Sequence, residues 1–182
     1  MKRTADLAQY AAGRPLNADQ IVEYHAARLL LLIRLCGSQL KIQGLTKLAK
    51  LDFFVRYPKF FERASEELDT PTTAGTHVEE ATMVRHHYGP WDPRYYVVLA
   101  YLEGRELITV DKHKKTFVFA LTARGADLAS QLSVAPAFCE LVSHMNQVKK
   151  LFGAKSGDWL RKLVYRVFDD EVAKLSRGEI IQ

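Results

Sequence analysis

Three groups of side chains in this chain have the types and spacing to act on another molecule. The first is the run Asp111-Lys112-His113-Lys114-Lys115, where three lysines crowd into five positions. On a protruding turn, Lys112, Lys114 and Lys115 could meet the phosphate oxygens of a nucleic-acid backbone. The same lysines also suit a hairpin tip that merely faces water. The second group is the basic series Lys41, Lys47, Lys50, Arg56 and Lys59. It reads either as a strip facing a polyanion or as an ordinary outer helix face, and Lys47, Lys50 and Arg56 are its candidate nucleic-acid contacts. The third group is Tyr88, Trp91, Arg94, Tyr95 and Tyr96, around two prolines. Aromatic side chains with polar tips, together with arginine, are enriched where proteins grip one another; the same aromatics could instead be core. Trp159 and Leu163, on a strongly apolar C-terminal segment, are further candidates for a partner groove.

Catalytic constellations are missing from this inventory. The sequence holds no Walker phosphate loop, no glycine-rich dinucleotide loop and no Gly-x-Ser-x-Gly elbow. His86-His87 would point to opposite faces of a strand and cannot jointly grip a metal. Glu79-Glu80 and Asp169-Asp170-Glu171 read as solvated faces. The expectation is a protein that is not an enzyme, with no catalytic residue, metal site or cofactor.

The elements that must position the candidate residues come from the apolar pattern. Asn17 with Gln20 suggests a capping box for a helix over residues 18–36, whose apolar positions leave few polar ones on its inner side. A second helix begins near Leu45 after Gly44. Leu48, Ala49, Leu51, Asp52, Phe53, Phe54 and Val55 form its inner face, with Lys47, Lys50 and Arg56 expected outside. A short helix follows Pro58. Residues 70–76 form the clearest loop, and residues 78–88 fit either a strand or a helix. A helix starts at Pro93, with Asp92 placed to cap it. Residues 106–110 and 116–120 read as paired strands around a charged turn, and Thr122 caps the helix that follows. Two more helices cover residues 135–152 and 158–173, and residues 174–182 look frayed. Helix, strand, charged turn, strand and helix is the order of a winged helix. The expected fold class is mainly α with a small antiparallel β-hairpin (α+β). It divides into a helical N-terminal part (1–69), a winged-helix-like domain (70–134) and a C-terminal helical pair (135–182).

Composition agrees with a folded chain. There are 182 residues, 48% hydrophobic and 26% charged, with a formal net charge of +5. A chain so balanced can bury enough apolar surface to offset the entropy of ordering, which excludes a disordered polymer. The positive excess sits in residues 1–60, with ten Lys/Arg against four Asp/Glu. The longest apolar run, Ala26–Cys36, is broken by Arg28 and Arg34 and is too short to span a bilayer. No apolar stretch follows the basic N-terminus, so a cytoplasmic protein with no membrane contact is expected. Cys36 and Cys139 both lie among apolar residues and read as buried, reduced thiols.

Two stretches carry a resemblance. They are Gly44-Leu-Thr-Lys-Leu-Ala-Lys-Leu-Asp-Phe-Phe-Val-Arg-Tyr-Pro58 and Arg85-His-His-Tyr-Gly-Pro-Trp-Asp-Pro-Arg-Tyr-Tyr96. Followed by the hairpin within residues 102–122, they resemble the small middle component of bacterial ABC-three-component antiphage systems, also called Lamassu. The resemblance covers residues 18–170 in order of elements. It implies a non-catalytic accessory subunit that bridges or restrains an SMC-like coiled-coil ATPase and a separate effector, often a nuclease. Double-stranded DNA, touched through its backbone, is a further partner on this reading. The Tyr88-Gly-Pro turn also resembles, more loosely, the Panacea-type antitoxin domain, from which Trp91-Asp92-Pro93 departs. The alternative is a stand-alone winged-helix regulator or antitoxin that binds DNA.

Overall fold

The computed structural model describes residues 21–70, 72 and 83–181. The capping box at Asn17 and Gln20 and most of the 70–82 stretch lie outside the described residues. Within them the chain is mainly helical with a small antiparallel sheet.

At the centre is α1 (Val22–Cys36), where Leu29, Leu30, Leu31, Leu32 and Ile33 are all buried. A helix apolar on nearly every side has to be surrounded. It packs against α2 (Leu45–Arg56), α4 (Tyr95–Gly104), α5 (Ala123–Val134) and α6 (Cys139–Phe152). The end of α2 leads through Tyr57 into α3 (Pro58–Glu66), with Pro58 at its first position. Fixed φ and a missing N–H cost nothing there.

Aromatic rings fill the space between α2, α3 and the C-terminal helices. Phe54 lies 4.5 Å from Phe152, Phe60 lies 4.8 Å from Phe168, and Phe53 touches Phe54, Tyr57 and Phe60. Burial of each such side chain contributes about 1.5–3 kcal/mol. The C-terminal helix α7 (Gly157–Val167) packs on α2 and closes this cluster, with Leu160, Leu163 and Val164 buried. Leu163 therefore lies in the protein's own core, which removes it from the candidate partner contacts. Trp159 is half-buried, 6.3 Å from Phe152.

The sheet joins distant parts of the chain. β1 (Lys41–Gln43) pairs with β5 (Thr116–Leu121), and β5 pairs with β4 (Ile108–His113), giving the order β1-β5-β4. Phe119 sits between Ile42 and Val110 across the two ladders and is buried. A strand between the first two helices, added to the edge of a later hairpin, is the arrangement of a winged helix. That unit draws on α1, β1 and α2 as well as on α4, β4 and β5. The expected boundary between residues 69 and 70 is thus crossed by the sheet, and a single core runs through all three expected parts. The segment between α2 and α4 is an insertion holding α3 and a short hairpin, β2 (Val84–His86) with β3 (Gly89–Trp91).

Two further expectations need correction. The ladder extends to His113↔Thr116, so Asp111, Lys112 and His113 are strand residues and the turn is only Lys114-Lys115. The C-terminal segment is tied down: Ile181 N–H donates to Met83 O and Arg85 N–H donates to Glu179 O. Ile180 bridges Val84, and Ile181 is buried.

Candidate functional site

Beneath α4 and the inserted hairpin lies a buried ionic network. Arg28 Nε donates to Asp52 Oδ1 at 2.8 Å, and Tyr95 OH donates to Asp52 Oδ2 at 2.8 Å. Arg56 Nη1 donates to Asp92 Oδ2 at 2.7 Å, and Arg94 Nη2 reaches the same oxygen at 2.7 Å. Arg94 also donates its backbone N–H to Asp92 Oδ1 at 2.9 Å. His25 lies between two guanidiniums, 2.8 Å from Arg28 Nη1 and 3.0 Å from Arg94 Nη1. Arg28, Asp52 and Arg56 are each at most 1% exposed. Burial pushes the Asp92 carboxyl up; the hydrogen bonds from Arg94 and the charge of Arg56 overcome this and hold it well below the usual carboxylate range. Burial likewise raises the Tyr95 hydroxyl, assisted by Asp52, so it stays a donor.

This network contradicts three expectations. Arg56 is wholly buried and bound to Asp92, so it cannot touch nucleic acid. Lys50 is 1% exposed, and its Nζ donates to Pro90 O at 2.8 Å; it too is not on an outer face. Tyr95 is 1% exposed and is a brace rather than a partner contact. Lys47 is half-buried, and its Nζ donates to Gly153 O at 2.8 Å. The reason is shared: α2 is enclosed by α1, the inserted hairpin and α7, so it keeps no outer face here. Arg94 is half-buried and held by Asp92 and His25.

On top of the network stands an exposed aromatic face. Tyr88 is 58% and Tyr96 64% exposed, with Val97 (61%) beside Tyr96 on α4. Half-buried Trp91 stacks on His86 at 5.4 Å and meets Tyr96 at 5.6 Å. The sheet supplies the opposite wall. Phe117 on β5 is exposed, stacks against Phe119 at 6.4 Å and carries Lys112 Nζ 5.6 Å from its centroid. Lys112, Lys114 and Lys115 are all exposed, with Lys114 in the left-handed region at φ 55. Wing tip, inserted hairpin, α4 and the start of α2 meet around a cleft of about 330 Å³.

The structure thus brings together Tyr88, Trp91, Tyr96, Lys115 and Lys50, and leaves Trp159 and Leu163 on α7 outside the cleft lining. Sequence reasoning missed Phe117 and Val97 as members of the face, whereas a histidine packed near Trp91 was expected and His86 is that residue. It also missed the pairing of Arg28 with Asp52. The available signal was a charge on each of two otherwise apolar helix faces, since charges that are buried are paired. Cys139 is exposed, contrary to expectation, because it begins α6 at the surface; Cys36 is buried. Among the described residues no group of His, Cys, Asp and Glu is arranged to hold a metal ion, and no helix is long and apolar enough to cross a membrane. No family model, no curated protein and no solved structure matches the chain.

Proposed function

We propose that this chain is a non-catalytic accessory subunit of a bacterial antiphage defence complex. It bridges or restrains an SMC-like coiled-coil ATPase and an effector, a nuclease, with contact to DNA through the backbone only. The observation that carries this reading is the exposed aromatic face, in which Tyr88, Tyr96 and Val97 stand over a buried ionic base and Phe117 faces them from the sheet. Rigid aromatics over a preorganised support lose little entropy when a partner covers them. The two stretches that resemble the Lamassu middle component build both layers: Asp52, Asp92 and Tyr95 brace, while Tyr88 and Tyr96 face outward. The test is co-expression with the neighbouring genes, which on this reading include a coiled-coil ATPase. Tyr96→Ala with Val97→Asp should abolish co-purification and leave the melting temperature of the free chain unchanged. Retention of the ATPase by that variant would refute the reading.

A second reading, a stand-alone DNA-binding regulator or antitoxin, is favoured by the winged-helix sheet order and the exposed wing lysines. Against it, the outward positions of α4 are Tyr96, Val97, Ala100 and Glu103. These lack the arginine and amide donors that read base edges. Tight binding to one DNA sequence at physiological salt, with no partner present, would establish this second reading.

A further inference from the structure

We propose that the cleft between the wing tip, the inserted hairpin and the start of α2 binds an anion of mononucleotide size that carries a planar aromatic ring. The acidic group sits at Lys50, and the ring lies against the exposed aromatics. This inference shares Tyr88, Tyr96 and Phe117 with the partner face above, but its test uses the free chain and so fails or succeeds apart from that reading.

The floor of the cleft carries the argument. Lys50 is buried at 1% exposure and lines the cavity. Among the described residues its ammonium has one acceptor, Pro90 O, and no carboxylate partner. An ammonium has three N–H donors, so two remain to serve an anion. A buried charge without a counter-ion is costly, and an anion seated at Lys50 would supply that counter-ion. No described residue lining the cleft is acidic, and Lys115 stands at the wing side. Leu45 and Thr46, also in the lining, belong to the first turn of α2, whose N–H groups have no acceptor within the helix. The charged groups in the lining are thus Lys50 and Lys115, both basic.

Shape and lining set the rest of the ligand. A volume of about 330 Å³ lies within the range of small-molecule sites. Tyr88, Trp91, Tyr96 and Phe117 offer ring surface, and a smaller apolar pocket of about 170 Å³ continues past Tyr96 and Phe117. Gly44 and Gly89, in opposite walls, both have φ near +90 (91 and 90), which a side chain would strain. At Gly89 an added Cβ would also stand 3.6 Å from Lys50 Nζ. Burial draws the Lys50 ammonium down to about 7, with Arg161 of α7 adding to the effect and His86 of β2 also near. An anion at Lys50 would restore its charge, so binding near pH 8 should take up a proton.

Two sources share this chemistry, a free nucleotide and the 5′-phosphorylated terminal nucleotide of a strand. Calorimetric titration of the full chain should use the four deoxynucleoside monophosphates, a 5′-phosphorylated single-stranded oligonucleotide, deoxyadenosine, and inorganic phosphate. One of the two nucleotide forms should bind. Nucleoside and phosphate alone should bind at least about tenfold more weakly. Which form binds identifies the source, and either supports the proposal. Lys50→Met and Tyr96→Ala should each weaken binding at least about tenfold. Tyr96 is exposed, so its variant and Lys115→Glu keep the test valid if Lys50→Met fails to fold. No binding of either form at about 1 mM would overturn the proposal, as would unchanged binding by Tyr96→Ala.

Discussion

At the scale of single residues, charge burial makes the sharpest predictions. Asp92 joins Arg56 and Arg94, and its carboxyl is held below its unfolded value. A depressed carboxylate contributes stability in full above the unfolded pKa near 4 and loses it as pH falls below that value. Asp92→Asn should therefore lower stability at neutral pH by about 3 kcal/mol, because buried Arg56 loses the nearer of its two carboxylates and keeps only Asp52 at 3.9 Å. The gap between wild type and variant should close as pH falls below about 4, which acid unfolding monitored by circular dichroism would show. Lys50 has the opposite sign. Its folded pKa of about 7 lies below the ordinary lysine value, so the cost of its charge is full below pH 7 and is relieved as pH rises toward that value. Relative to Lys50→Met, the wild-type melting temperature should rise between pH 7 and 10. The thiols differ likewise. Burial pushes Cys36 up to about 12, whereas Cys139 is exposed. Native protein should take up one equivalent of a thiol reagent, at Cys139, and a second only on unfolding. Labelling of Cys36 in the folded state would contradict this. The sequence placed Asp52 on the inner face of its helix, yet its partner Arg28 lay 24 positions away, and pairing across that distance is decided by packing.

At the scale of elements, regular pattern was legible and enclosure was not. The hairpin, the Thr122 cap and the run of helices follow from alternation, helical spacing and capping chemistry, and Thr122 Oγ1 does accept from Gly125 N–H. What failed was the outer face of α2. Its spacing put Lys50 and Arg56 outside, but an inserted hairpin and α7 cover that side. Coverage depends on elements far along the chain, and no local period reports it. β1 escaped notice for the same reason: three residues become a strand only because β5 is beside them. The wing lysines remain the element-level site for DNA. Lys112, Lys114 and Lys115 changed together to Ala should reduce the slope of log K against log salt by about 3 if all three meet phosphates. An unchanged slope would remove the wing from any nucleic-acid interface.

At the scale of the whole molecule, a helical winged-helix unit carries an inserted hairpin, and the two meet across a cleft ringed by exposed aromatics. The buried ions hold the insertion on α1 and α2, so the face is presented by a rigid base. The account stands or falls on what covers that face. The most direct measurement places a photo-crosslinking amino acid at Tyr96 and, separately, at Val134, an exposed apolar site on α5. Both variants are irradiated in cells carrying the neighbouring genes. The account predicts a crosslink from position 96 to the coiled-coil ATPase and none from position 134. Crosslinking from 134 alone, or no ATPase adduct from 96, would contradict it.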